Sequence, residues 1–476
     1  MVGSRVVIIG GGISGLAAAW ELVRAAPGTE VTILDAADRP GGKLRREPVA
    51  GVPIDVGAES VLARRPEAVG LMAELGLEDA VVHPATTSAS IWSRGQLHPM
   101  PRRTLMGIPS PASSALGVLT PDEVARAEHE QAWSPEDGVD VSVGDYVAGR
   151  LGDAVVDRLV EPLLAGVYAG RARRLSLRAC LPQVYASVAQ GTSLTEAART
   201  AAEASALSSA GSSAPVFAGL HGGVGRLAEV LTESLRSQGV VIRSGTIARE
   251  LVRDGGGWLV VAGPRPDPQR FAADAVIVAT PASATARLLE PHAPDASAAL
   301  REVEYASMAI VTLAVDGGPG RAPLPGSGFL VPAVDGRTIK ASTFSSTKWG
   351  WTSEVADDLS FLRASVGRFG ETSDLQRPDE ELVAVAVAEV SEALGHQLPR
   401  LLDAHVQRWG GALPQYTVGH VDRVARVRAA AAELPGLALA GAAYEGVGIP
   451  ACIGTGRAAA RAVLTHLSAA DREGGE

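Results

Sequence analysis

The sequence predicts an α/β protein with three parts: a discontinuous Rossmann-like nucleotide-binding domain, a mixed-sheet substrate domain and a helical insertion. Three observations predict it. Residues 6–22, VVIIGGGISGLAAAWEL, run from β-branched apolar residues through glycines into an alanine-rich stretch. A second apolar run follows and ends on an acid, Asp35. At the far end, residues 436–467, GLALAGAAYEGVGIPACIGTGRAAARAVLTHL, again read as strand, glycine loop and helix.

Residues 6–9 are continuously apolar, as in a parallel strand buried on both faces. Gly10, Gly12 and Gly15 then give GxGxxG, with Gly11, Ile13 and Ser14 completing the turn. The first glycine permits the turn, the second lets a pyrophosphate approach, and the third lets helix and strand pack closely. The helix expected over 14–25 points free N–H groups and a positive dipole end at phosphate. The next strand, 31–34, places Asp35 20 residues after Gly15, where an acid accepts hydrogen bonds from a ribose. A second glycine turn at Gly41 and Gly42 brings more backbone to the nucleotide, and Lys43 supplies a cation.

Residues 216–290 add a glycine turn with an amphipathic helix (GLHGGVGRLAEVLTESL), one or two strands (VVIRSGTIARELV) and a buried strand at 273–282. The last block gives a strand at 437–440, a loop with Gly441, Gly446 and Gly448, and a helix from about Thr455. The nucleotide domain is therefore expected over 1–84, 216–294 and 406–470. Residues 85–215 read as largely helical and as a pocket wall, ending in SALSSAGSSA, a loop too small and polar to pack a core. Residues 295–405 combine strand-like MAIVTLAV, GFLVP and TIKASTF with a helix, ELVAVAVAEVSEALG, suited to lying on a sheet. Residues 471–476 read as a flexible tail.

The chain has 476 residues, enough for two or three packed units, and a net charge of −10, which disfavours nucleic acid. Cys180 and Cys452 stand far apart with no CxxC, which argues against zinc, iron–sulfur and dithiol chemistry; no metal is expected. The first apolar run begins too early for a signal peptide, and no uncharged apolar span is long enough to cross a bilayer. A cytoplasmic protein is expected, with contact to a membrane surface left open.

The continuation DRPGGKL after Asp35 and the segment DVGAES at 55–60 resemble FAD-containing amine oxidases, carotenoid desaturases and protoporphyrinogen oxidases. The resemblance implies FAD rather than NAD. It implies flavin-side contacts at Gly42, Lys43, Gly57, Ala58, Glu59, Ser60, Trp409, Val447, Gly448 and Ile449, and a backbone contact from Ile247 to the adenine side. Ala442 and Ala443 stand where monoamine oxidases carry a flavin-linking cysteine, and Cys452 lies past Pro450, so non-covalent FAD is implied. A helix N-terminus aimed at the flavin would stabilise the negative charge it gains on accepting hydride.

Three middle segments narrow the resemblance: IWSRGQLHPMPRRTLMGIPS, LVEPLLAGVYAGRARRLSLRACLPQ and RWGGALPQYTVGH. They resemble the protoporphyrinogen oxidase family, nearest its Gram-positive, actinobacterial-type coproporphyrinogen III oxidases. Mitochondrial and plastid members carry an arginine before the aromatic strand; here TSASIWSRG has Ala89 or Ser90, a departure that weakens the case for protoporphyrinogen. The resemblance implies a tetracarboxylate near Arg64 and Arg65, and a pocket lined by Gly166, Val167, Tyr168 and Gly170, with Phe329, Leu330 and Ser365 nearby. It implies that flavin does the chemistry without a catalytic side chain: six electrons leave the porphyrinogen in three steps, and O₂ becomes hydrogen peroxide. Protoporphyrinogen IX oxidation, or an amine oxidase or desaturase activity, stand as alternatives, as does a non-catalytic porphyrin-binding chaperone. Transfer of product to a downstream haem-pathway enzyme is also implied. His98 and His420 lack partner spacing for general-base work and are expected to make structural hydrogen bonds.

Overall fold

Three distant parts of the chain supply one parallel sheet. In the computed structural model, which describes residues 3–101, 104–132, 139–210, 215–318 and 324–473, the strand order is Val241–Arg243, Glu30–Leu34, Arg5–Ile9, Ala275–Val278, Leu437–Leu439. All neighbours are parallel, with Val6 opposite both Val31 and Ala275. Both faces are covered. On one lie the first helix, Ile13–Ala25, and the C-terminal helix, Ile449–Glu473, sharing a core with Leu16, Ala17, Ile453 and Ala460. Gly456 permits their crossing: a Cβ there would stand 2.1 Å from the Ser14 carbonyl oxygen. On the other face Trp258 and Val260, from an antiparallel meander over 248–273, pack with helices Ala282–Leu289, Pro294–Arg301 and His420–Ala432.

Two boundaries differ from expectation. The C-terminal helix starts at Ile449, not near Thr455, because Pro450 suits a first helical turn, where a missing N–H costs nothing. The expected strand over 273–282 is three elements: Gln269–Ala273 in the meander, Ala275–Val278 in the parallel sheet, and a helix from Ala282. The switch falls at Asp274, whose carboxylate accepts from the Arg5 backbone N–H at 2.6 Å.

A second, seven-stranded sheet has the order Leu401–Pro414, Tyr305–Asp316, Leu359–Val366, Ile339–Thr343, Gly328–Leu330, Ser90–Ser93, Gln96–Pro99. It is mixed, since Gly328–Leu330 and Ser90–Ser93 run parallel and the other pairs antiparallel. Strand Leu401–Pro414 runs unbroken through residue 405, and the hairpin over 90–99 comes from the largely helical segment, so the sheet draws on all three expected regions. Helix Asp379–Leu394 covers one face through Leu382, Ala386 and Val390. A third core gathers helices between 112 and 201 around Tyr146, Leu159 and Leu164.

Helix Leu194–Ala210 takes in the first part of SALSSAGSSA; residues 211–214 lie outside the described residues. The C-terminal helix likewise continues to Glu473, leaving 474–476 of the expected tail outside them, as are Arg102 and Arg103. No described helix is long and apolar enough to cross a membrane.

Candidate active site

The first strand ends in a turn closed by protein on two sides and open on a third. Gly10 has φ +110°, and a Cβ on it would lie 2.4 Å from the Ala279 carbonyl oxygen. A Cβ on Gly15 would lie 1.9 Å from the Gly10 carbonyl oxygen. Gly12 between them meets nothing within 4 Å. The helix that starts at Ile13 and Ser14 has neither a side-chain cap nor an acid in its first turn. Its leading N–H groups therefore remain available to an anion approaching over Gly12.

Asp35 organises this turn. Its Oδ2 accepts from Gly11 N–H at 3.1 Å and its Oδ1 from Ala37 N–H at 3.0 Å. Burial raises its pKa, an effect the backbone donors only partly offset. Each oxygen keeps a lone pair for a hydroxyl. Its backbone carbonyl accepts from Thr246 N–H at 2.7 Å, which places the exposed Ile247 side chain just beyond. Gly41 N–H donates to the Gly11 carbonyl at 2.8 Å, so the second glycine turn rests on the first, with the site of a Gly42 Cβ 3.2 Å from Gly12 Cα.

Lys43 lies next in line. It remains solvent-accessible but is hemmed in by protein, and burial lowers its pKa. No carboxylate pairs with it among the described residues. Its carbonyl accepts from Ala58 N–H at 3.1 Å, and a Cβ on Gly57 would stand 2.0 Å from that same oxygen. Trp409 closes the segment by donating from Nε1 to the Val56 carbonyl at 3.0 Å.

The Glu59 side chain is held by the second sheet. Its carboxylate is taken by Lys348 at 2.6 Å and Arg363 at 2.8 Å, with Ser345 Oγ donating at 3.3 Å. Burial alone would raise its pKa, but the two cations outweigh burial and hold it at about 2. Arg363 also donates to the Gly57 carbonyl at 2.5 Å. What the 57–60 segment offers a ligand is backbone; the Glu59 charge fastens that backbone and the adjoining Ser60 to the second sheet.

The C-terminal loop enters its helix through Val447, Gly448 and Ile449. Gly441 N–H donates to Thr455 Oγ1 at 3.1 Å, folding the loop over the helix start. Tyr416 grips both ends: its hydroxyl donates to the Ala442 carbonyl at 2.6 Å and accepts from Gly446 N–H at 2.7 Å. Cys452 is buried within the helix, where burial raises its pKa.

A separate wall is built from helix Glu161–Tyr168 and the second sheet. The helix stops at Ala169, which has φ +49°, and Phe369 N–H caps that residue's carbonyl at 2.7 Å. Gly166 faces the sheet: a Cβ there would stand 3.9 Å from Leu330 Cδ2. Val167 is 41% exposed, whereas Tyr168 is buried. Gly170 has no room for a side chain, since its Cβ would lie 2.4 Å from Gln415 Oε1. Ser365 is half-buried, opposite Ile310 and Ala341.

Two expectations need correction. Phe329 lies on the far face of its strand, 2% exposed, with ring contacts to Trp92 and Phe344. Strand alternation turns Leu330, not Phe329, toward Gly166. Arg65 pairs with Glu67 at 2.8 Å while its side chain stays half exposed, and its neighbour Arg64 also has a partner. His98 does bond, to the Ser93 carbonyl at 3.2 Å, but neither buried ring nitrogen of His420 makes a well-formed hydrogen bond among the described residues, although the Ala443 and Tyr444 backbone lies beside it. It stacks on Tyr416 at 3.9 Å instead, and burial together with Arg423 lowers its pKa to about 4, so it stays neutral.

A family model described as flavin containing amine oxidoreductase matches residues 13–464. The chain belongs to that family. This flavoprotein oxidoreductase is 40% identical to the coproporphyrinogen III oxidase of Mycobacterium tuberculosis, over 98% of each chain. The coproporphyrinogen III oxidase of Bacillus subtilis is 33% identical over 97% of this chain and 98% of that one. A solved structure from Exiguobacterium, provisionally named a protoporphyrinogen oxidase, superposes with a TM-score of 0.83 at 33% identity, covering 97% of this chain and 99% of that one.

Several residues that shape the flavoprotein's site escaped sequence reasoning. Gln415 and Tyr416 lay inside the quoted motif LPQYTVGH, but nothing local showed what they touch. Lys348 and Arg363 carry no motif and meet Glu59 only through the fold.

Proposed function

We propose that this chain is an oxygen-dependent coproporphyrinogen III oxidase that binds FAD without a covalent link. The observation that carries the reading is near full-length similarity to enzymes of that name, in a chain whose glycine turn is open at Gly12 and faces an uncapped helix. Making a porphyrin from a porphyrinogen removes six electrons, and FAD, when bound, accepts them two at a time and passes them to O₂.

The chain's own residues bind, orient and exclude. Gly10, Gly11, Gly12, Gly15 and the amides of Ile13 and Ser14 hold the pyrophosphate; Asp35 takes the ribose and Ile247 the adenine side. Gly42, Lys43, the backbone of 57–60, Trp409 and the amides of Val447, Gly448 and Ile449 frame the flavin. No tether is supplied: Ala442 and Ala443 cannot bond, and the neutral Cys452 thiol lies against the Gly446 and Val447 carbonyls at 3.9 Å. Gly166, Val167, Tyr168, Gly170, Leu330 and Ser365 form the wall for a flat macrocycle, with Phe329 backing it and Arg64 and Arg65 toward its carboxylates. A cytoplasmic location, peroxide release and hand-over of product to a later haem-pathway enzyme belong to this reading.

Protoporphyrinogen IX is the second reading, favoured by the name of the solved relative. Comparison of kcat/KM for both porphyrinogens, with peroxide measured alongside porphyrin fluorescence, tests the choice. Preference for coproporphyrinogen III with one peroxide per two electrons is expected; preference for protoporphyrinogen IX overturns the substrate, and porphyrin without peroxide overturns the acceptor.

A further inference from the structure

Adjacent residues Gln415 and Tyr416 reach in opposite directions. Gln415 Nε2 donates to the Tyr168 carbonyl at 2.8 Å and to the Leu413 carbonyl at 3.0 Å, and its Oε1 fills the space that a side chain on Gly170 would need. Tyr416 holds Ala442 and Gly446, the two ends of the bend ahead of the C-terminal helix. The segment between these grips is itself fixed. Gln415 N–H donates to the Glu304 carbonyl at 2.8 Å, the Tyr416 carbonyl accepts from Ser176 N–H at 2.8 Å, and the Tyr416 ring is stacked on His420 and 5.5 Å from the Tyr168 ring. Gln415 is 2% and Tyr416 3% exposed, so neither grip exchanges readily with water. In this packed interior a shift of the 166–170 turn has no slack to absorb it before it reaches Gly446.

We infer that Gln415 and Tyr416 form a strut that couples the substrate-facing turn to the flavin-facing loop, so that a ligand against 166–170 alters the redox setting at Val447–Ile449. Tyr416 is a positioning residue, acting through the loop it holds. The substrate end rests on the porphyrinogen reading; the loop end rests on hydrogen bonds within the chain.

The test compares flavin midpoint potentials of holoenzymes: the natural chain, Tyr416→Phe, and Val390→Ala, a truncation in the separate core where helix Asp379–Leu394 covers the second sheet. Tyr416→Phe keeps the ring stack and removes both hydrogen bonds. It is expected to shift the ligand-free potential by about 30 mV, a tenfold change in the two-electron equilibrium. Saturating coproporphyrin III is expected to move the potential of the natural chain but not that of Tyr416→Phe. Val390→Ala, destabilised in a core that holds no residue of the strut or of the 441–448 loop, should behave as the natural chain. An unchanged potential and an intact porphyrin response in Tyr416→Phe overturn the proposal. If that variant does not fold, hydrogen exchange on the natural holoenzyme decides: bound coproporphyrin should slow exchange over 441–448, and no change there overturns the strut. If porphyrin binds no form, the porphyrinogen reading fails, and the ligand-free potential still judges Tyr416.

Discussion

The glycine turn after the first strand and the wall around 166–170 are built by opposite strategies. The turn is largely local: Gly10, Gly12, Gly15 and Asp35 sit within one strand–helix–strand unit, to which the neighbouring strands add only backbone contacts from Ala279 to Gly10 and from Arg243 and Thr246 to Asp35. The wall is assembled from distant pieces, with Gly166, Leu330 and Ser365 on three separate elements and Gln415 just past the end of a fourth. Local sites fail by steric exclusion of the ligand. Assembled sites fail by losing the contacts that bring their parts together.

The largest effect should come from the turn. Gly15→Ala drives a Cβ into the Gly10 carbonyl and is expected to abolish FAD binding and destabilise the fold. Gly12→Ala meets no protein atom, so melting of the FAD-free protein should stay close to that of the natural chain. FAD affinity, read by fluorescence titration, should still fall about a hundredfold, near 2.8 kcal/mol. If Gly12→Ala binds FAD normally, the open face is not the phosphate face.

Next comes the fastening between the two regions. Glu59→Gln leaves Lys348 and Arg363 buried around a neutral group and is expected to cost about 3–5 kcal/mol by denaturant unfolding. The Glu59 pKa in the folded state, about 2, lies below its unfolded value. Its contribution is therefore present above the ordinary glutamate range and is lost as pH falls toward 2. The natural chain should lose stability over that acid window more steeply than Glu59→Gln, and parallel pH profiles would contradict the assignment.

Smaller effects separate the parts of the wall. Gly170→Ala overpacks against Gln415, costing about 1–3 kcal/mol, and should lower kcat while FAD stays bound. Smallest of all, Phe329→Leu should cost about 1 kcal/mol of stability and leave KM for the porphyrinogen unchanged. Leu330→Ala should raise KM with little loss of stability. The reverse pattern would put Phe329 on the ligand face.

What could be read from the sequence follows the same division. The first turn was legible because its constraints act mostly over a few residues, and the start of the last helix was misplaced because Pro450 belongs to its first turn and not to the loop before it. In GFL at 328–330 every residue is apolar or small, so alternation gave no sign of which face each takes. Glu59 carried a family likeness, but its partners Lys348 and Arg363 lie 289 and 304 residues away. No local pattern could disclose them. The strut at Gln415 and Tyr416 was visible as a motif and silent as to purpose, since its meaning lies in two loops it does not adjoin.

Anaerobic mixing of the FAD-loaded protein with coproporphyrinogen III, followed by flavin absorbance, probes the joint site most directly. Bleaching that saturates with substrate, and recovers on admitting oxygen as porphyrin fluorescence appears, is the predicted result. A flavin spectrum unmoved by the porphyrinogen, in protein that holds its FAD, would contradict the account.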